Sequence, residues 1–290
     1  MKKTLVIYHR ADFDGIFCYR IAKRFFDASS GYDVTYLGWD YGDPVPEVAS
    51  PTIVIMLDIS VEGLMDYAHL TWIDHHKSAI DKYGTTIPGY RIDGVAACRL
   101  AWQYFNFSYG WDSKGKPTKE DFVERRVCEP EAVRLAGEYD IWDKRDPNAE
   151  LFQHGLRSRF LGDRDWRYLL SDLDGELVPN LLDAGMAVQY AKVTENASII
   201  KGTGFTVVFE GLNFLACNTA RYNSHLFTAG ILPEHDALLG FNFNGRHWKV
   251  SLYHAPGKEH HDLSLIAVKH GGGGHRGACG FEVDELPFLK

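Results

Sequence analysis

Three apolar runs early in the chain each break off at a carboxylate or an imidazole, and this repetition constrains the fold more than any other feature. Residues 4–8 (Thr-Leu-Val-Ile-Tyr) lead into His9 and then Asp12. Residues 52–57 (Thr-Ile-Val-Ile-Met-Leu) end at Asp58, and residues 70–73 (Leu-Thr-Trp-Ile) end at Asp74-His75-His76. Short runs rich in β-branched and aromatic side chains suit strands covered on both faces. Each is followed by a helical pattern, over 16–26, 62–67 and 77–82. Alternating β and α units predict a parallel sheet. Its strand ends gather at one edge, where open α/β sheets bind ligands. One polar ending is unremarkable, but three on one edge define a candidate site.

Asp12 and Asp14 are two residues apart, so in an extended segment both carboxylates point the same way. His9 stands at an odd separation and joins them only if the chain turns near Ala11, beside Gly15, which permits a close approach. Asp14 also has a plainer reading as a helix cap. Residues 34–37 predict one more strand and residues 94–105 a packed helix. A further helical stretch starts near 118 and runs through 131–138 past Pro130. It ends in Tyr139-Asp140-Ile141-Trp142-Asp143, which taken alone reads as a surface cap.

A last helix over 181–201 breaks at Gly202-Thr203-Gly204. Beyond it the texture changes to short strands, at 205–209, 212–217, 237–243 and 248–253, with Asn244-Gly245 as a hairpin turn. The expected organisation is α/β throughout. A mostly parallel catalytic domain spans 1–185, a linker helix 186–204, and a smaller mixed α/β domain 205–290, with the active site in a cleft between the domains. Near the C-terminus, His270 is followed by Gly271, Gly272, Gly273 and Gly274, then His275 and Arg276. A glycine run lets backbone N–H groups approach an anion, and Arg276 adds a planar fork for phosphate. A flexible loop is the alternative.

The 290 residues carry a net charge of −8, which argues against a broad basic groove for long duplex DNA. Five scattered cysteines without a C-x-x-C pair suit reduced thiols better than a disulfide framework. No signal peptide and no membrane-length apolar run is apparent, so the expected compartment is the cytoplasm.

Taken together, His9-x-x-Asp12-x-Asp14-Gly15, Asp58, Asp74-His75-His76 and the distant Gly271-Gly-Gly-Gly-His275-Arg276 resemble the DHH phosphoesterase superfamily. The resemblance is to its branch with a DHH-associated C-terminal domain, which includes nano-RNases, oligoribonucleases and RecJ-like exonucleases. It implies a two-metal centre hydrolysing a phosphoester. His9 and Asp12 would hold one ion, Asp14 and His75 the other, and Asp58 would bridge them. Asp140, with Asp143 as the alternative, would complete the second site. His76 would face the substrate phosphate, and Asp74 would orient a histidine. Gly272, Gly273, Gly274, His275 and Arg276 would grip the substrate. The donor set suits manganese, with magnesium possible. Two divalent ions would balance four carboxylates that would otherwise repel and raise one another's pKa values.

The expected function is therefore a metal-dependent phosphodiesterase that converts short oligonucleotides or linear dinucleotides to mononucleotides, as a monomer or homodimer without membrane attachment. Alternatives are a phosphomonoesterase on 3′,5′-bisphosphate nucleotides, a RecJ-like single-strand exonuclease, or a catalytically silent nucleotide-binding protein.

Overall fold

A computed structural model describes residues 1–84, 86–107, 115–171, 175–220 and 226–289, and the chain divides into two compact units, Met1–Val188 and Gln189–Lys290. In the first unit, β1 (Lys2–His9), β2 (Tyr32–Trp39), β3 (Ile53–Leu57), β4 (Leu70–Asp74) and β5 (Gly89–Arg91) form one sheet. The order is β2-β1-β3-β4-β5, and every neighbouring pair is parallel, as the alternating units predict.

Consecutive strand side chains point to opposite faces, and here both faces are covered. Val6, Ile55, Leu57 and Ile73 pack in one core with α1 (Phe13–Asp27) and α3 (Ala97–Phe107). Ile7, Val54, Met56 and Trp72 pack in another with Ile59, Leu64 and Ala79, the last on α2 (Lys77–Tyr83). Strands without a wet face read as continuous apolar runs.

Register then aligns the strand ends. Tyr8 lies opposite Leu57 and Leu57 opposite Ile73, so the residues that follow, His9, Asp58 and Asp74, form one row at the C-terminal edge. The chain order runs outward in both directions from the β1/β3 pair, which makes that pair the topological switch point.

Several elements differ from expectation. β2 runs on to Trp39 rather than stopping at 37, and a single 3-10 turn, Glu62–Leu64, replaces the helix over 62–67. The stretch from 118 to 138 is two helices, α4 (Lys119–Val123) and α5 (Glu131–Asp140). The break runs from Arg125, which adopts φ 54, to Pro130, the N-cap of α5. The buried Glu138 accepts from Arg125 Nε at 2.8 Å and from Arg134 Nη1 at 3.0 Å, so the turn returns a guanidinium to a carboxylate that needs one. α6 (Asn148–Arg157) and α7 (Asp163–Leu169) were not anticipated. α8 (Leu177–Thr203) is continuous through the division between the units.

The second unit is a six-stranded mixed sheet in the order β10-β11-β9-β8-β7-β6. Its strands are β6 (Gly204–Phe209), β7 (Leu212–Asn218), β8 (Ala237–Phe243), β9 (Trp248–His254), β10 (Gly273–His275) and β11 (Ala278–Val283). Among the described residues only β7 and β8 pair in parallel. Phe214, Leu239, Phe241, Leu252 and Phe281 form its core with Ala267 of α9 (Ser264–Lys269).

The glycine run is not a plain loop, because its second half is the edge strand β10. A Cβ on Gly272 would stand 2.0 Å from the Gly280 carbonyl oxygen, and Gly274 combines φ +131 with a Cβ position 2.7 Å from Cys279 Cα. Close approach to β11 therefore demands glycine at both places. All five cysteines are free, and no helix among the described residues is long and apolar enough to cross a membrane.

Candidate metal centre

The turn that His9 requires is present. β1 stops at His9, the chain bends, and Asp12 becomes the N-cap of α1, accepting from Gly15 N at 3.0 Å. The capping role considered for Asp14 thus belongs to Asp12. A Cβ on Gly15 would fall 1.9 Å from the His9 carbonyl oxygen, so the bend closes only over glycine. His9 Nδ1 then lies 2.8 Å from Asp12 Oδ2 and 3.5 Å from Asp58 Oδ2.

Asp14, only 2% exposed, is held differently. Its carboxylate accepts from Ala97 N (2.8 Å) and Cys98 N (2.7 Å), the first amides of α3. A helix N-terminus supplies donors and positive potential, which suits a buried carboxylate. Beside it, His75 Nε2 stands 3.6 Å from Asp14 Oδ2, 3.4 Å from Asp58 Oδ1 and 3.3 Å from Asp140 Oδ2. Asp140 is the last residue of α5. Asp143 is engaged elsewhere, accepting from Arg145 Nε at 2.8 Å.

Among the described residues, three groups of side chains could hold a metal ion: His9 with Asp12 and Asp58; Asp14 with His75 and Asp140; and Asp58 with His75 and His76. Asp58 belongs to two of them, one oxygen toward His9 and the other toward His75, and His75 links the third. Asp58 is 1% exposed and adopts φ 60, a left-handed conformation that a non-glycine residue takes at a cost of about 1–2 kcal/mol. His9 Nδ1 and Asp58 Oδ1 are buried and have no aligned hydrogen-bond partner, although polar atoms crowd both. Donor atoms that converge without bonding one another are what a cation needs and what an empty core avoids. The residues fit divalent metal.

Their electrostatics agree. Burial, and then the neighbouring Asp58, push Asp14 up to about 7. Burial, and then Asp14, push Asp140 to about 7 as well. The Asp12 carboxylate foremost, and Asp58 with it, lift His9 to about 10. For His75 burial opposes the charge, but Asp58, Asp14 and Asp140 outweigh it and bring it to about 10. Without a cation the cluster must hold protons to offset its own negative charge.

Asp74, fully buried, belongs to none of these groups. Its Oδ1 accepts from His75 N (2.6 Å) and His76 N (3.0 Å) and lies 2.7 Å from His76 Nδ1, while Oδ2 accepts from Trp72 Nε1 (3.0 Å). It fixes the orientation of His76. That leaves His76 Nε2 uncommitted to Asp74, in a side chain 39% exposed.

Two features escaped the sequence reading. Asp40 sets Oδ1 3.4 Å from His9 Nε2, on the ring nitrogen opposite the cluster. It follows Trp39 as Asp58 follows Leu57, so a longer β2 would have revealed it. In the second unit, the Arg276 guanidinium does not stand free, since Nη2 donates to the His260 carbonyl oxygen at 2.6 Å. The adjacent His260 and His261 rings lie with centroids 4.0 Å apart and planes tilted by 41°. His275 ends β10 and is exposed. A cavity of about 650 Å³ in the first unit, lined by Arg125, Glu129 and Arg134, contains none of the clustered ligands. Its arginines are already paired with Glu138 and Asp146.

No family model matches the chain, and no curated protein matches it. Among solved structures it is similar to a pGpG-specific phosphodiesterase, PggH, from Vibrio cholerae: 16% identity, 98% of this chain and 94% of that one, TM-score 0.46. It is also similar to an exopolyphosphatase-related protein from Bacteroides fragilis, at 12% identity, 98% and 88% coverage, and TM-score 0.46. A third is RecJ from Thermus thermophilus in complex with Mn2+, at 12% identity and TM-score 0.46, where 99% of this chain covers 50% of that one. At such low scores the site has to be read from this chain's own residues.

Proposed function

We propose that this protein is a metal-dependent phosphodiesterase of the DHH type, hydrolysing short oligonucleotides or linear dinucleotides to mononucleotides. The observation that carries the reading is the buried Asp58 carboxylate, whose two oxygens face two separate groups of donors. His9, Asp12 and Asp58 would hold one divalent ion, and Asp14, Asp58, His75 and Asp140 a second. Mixed carboxylate and imidazole donors suit manganese, or magnesium. Bound there, such ions supply an activated water and charge neutralisation for an in-line displacement at phosphorus.

The chain's own groups do the rest. Asp74 accepts a hydrogen bond from His76 Nδ1, and this contact raises the imidazole above its ordinary value. His76 would then donate from Nε2 to a phosphate oxygen, meeting charge that develops during displacement. The backbone of Gly272, Gly273 and Gly274, with His275 and Arg276, would grip the terminal phosphate of a short substrate. Arg276 keeps donors beyond those engaged by the His260 and His261 carbonyls, so it can serve both. The net charge of −8 favours short ligands over long polyanions.

Purified protein with Mn2+ is expected to convert labelled di- to pentaribonucleotides to mononucleotides, and chelation to stop it. No product with any divalent metal would overturn the proposal. Faster turnover of a 3′,5′-bisphosphate nucleotide than of a dinucleotide would reassign it to monoester chemistry.

A further inference from the structure

Asp140 stands among aromatic rings at the end of its helix. Trp142 N donates to the Tyr139 carbonyl oxygen at 3.1 Å, Asp143 N donates to that of Glu138 at 2.8 Å, and Trp142 adopts φ 57. This is the Schellman closure, whose left-handed position ordinarily belongs to glycine. A tryptophan there sets its Cβ against the backbone, a conformation disfavoured for any L side chain.

Burial does not compensate, because Trp142 is 64% exposed. Its ring stacks on Tyr139 with centroids 6.3 Å apart and planes 24° from parallel. Lys144 Nζ lies 5.2 Å from the Trp142 ring centroid, and the Arg157 guanidinium 5.9 Å from that of Tyr139. A disfavoured backbone position therefore displays a large flat ring to water, braced by a second ring and flanked by two cations. A packing role would have buried the ring, and a closure role would have used glycine. Location supplies the remaining explanation. Asp140, whose Oδ2 is 3.3 Å from His75, lies two residues away, at most about 7.6 Å between α-carbons.

We propose that Trp142, braced by Tyr139, is a stacking platform for a nucleobase of the substrate beside the metal centre, with Lys144 contributing charge for a neighbouring phosphate. The inference rests on the proposed hydrolysis of short oligonucleotides and narrows it. Ligands without a base gain nothing from the ring, whereas all four bases present a π-face, so recognition is nucleotide-specific but tolerant of sequence.

The test is binding of adenosine 5′-monophosphate to the full chain, by calorimetry, in the wild type, Trp142→Gly and Trp142→Phe. Trp142→Gly should weaken binding by about 5- to 150-fold, the range spanned by stacking one base on an aromatic side chain. Trp142→Phe should keep most of the affinity, and ribose 5-phosphate should bind all three proteins alike. The glycine variant should melt no lower than the wild type, because it relieves the left-handed position, so lost binding cannot be lost folding. The platform is overturned by equal nucleotide affinity in the wild type and Trp142→Gly. An equal loss for ribose 5-phosphate, or no saturable nucleotide binding by the wild type, overturns it too. If nucleotide binding depends on Trp142 while no oligonucleotide is cleaved, the platform stands and the proposed reaction falls.

Discussion

The C-terminal edge of the parallel sheet and the glycine edge of the mixed sheet both stand out in the sequence, yet they stand in different physical conditions. At the first, His9, Asp12, Asp14, Asp58, His75 and Asp140 are drawn together with two buried polar atoms left without aligned partners. At the second, Gly272, Gly274 and Arg276 each have a reason within their own unit. Gly272 and Gly274 let β10 meet β11, and Arg276 ties down the backbone at His260. The fold accounts for the glycine edge but leaves the sheet edge with charge it does not satisfy. A site announces itself by what the fold fails to explain.

The largest effect should come from the residue that joins the two donor groups. Asp58→Ala is expected to abolish hydrolysis and weaken Mn2+ binding by more than about 100-fold, above the range seen when mere outer partners of ligands are lost. The measurements are short-RNA turnover and calorimetric metal titration. An Asp58→Ala protein that binds two ions normally would remove the distinction between the two edges.

Metal itself should act next. Mn2+ at about 100 times its dissociation constant contributes about 2.7 kcal/mol, which raises the melting temperature by roughly 5–10 °C. The response should depend on pH. With His9 and His75 lifted to about 10, their protonated rings stabilise the metal-free fold fully below about pH 6.5, and that contribution drains away as pH climbs through about 10. Ions must displace those protons, so affinity should rise from pH 6 to pH 8. Melting curves with and without Mn2+ across that range check both signs. Binding that is indifferent to pH would detach the histidines from the ions.

Asp40→Asn should have a smaller effect, up to about 10-fold in metal affinity, by loosening the orientation of His9. This residue also marks how far the site was legible in the sequence. The runs ending at His9, Asp58 and Asp74 stood out because both sheet faces are buried along β1, β3 and β4, and apolar continuity survives in a one-dimensional pattern. β2 is an edge strand with alternating exposure, so its run faded at Leu37 and hid Asp40 two residues beyond Gly38. Asp140 read as a surface cap because its partners lie on other elements, and only packing brings α5 against the ends of α1 and β4. Trp142 was hidden more deeply. A helix end predicts glycine at the left-handed position, and no local rule foresees a tryptophan there. β10 escaped because glycine carries no strand signal, and its pairing is a matter of backbone contact alone.

The finest separation between the two edges comes from neighbouring glycines. Gly272→Ala sets a methyl carbon 2.0 Å from the Gly280 carbonyl oxygen, so it should displace β10 from β11 and lower the melting temperature. Gly273 is different, since its Cβ position meets nothing and its backbone lies outside the left-handed region. Gly273→Ala should leave stability unchanged or improve it by up to about 1 kcal/mol, through the lower entropy of the unfolded chain. If the run only serves to pair two strands, that substitution is silent in every assay. If its N–H groups also cradle a phosphate, the methyl stands where the phosphate must approach, and KM for dinucleotide should rise several-fold with kcat little changed. A stable Gly273→Ala protein with unaltered KM would leave the glycine edge with a structural role alone and confine the chemistry to the first unit.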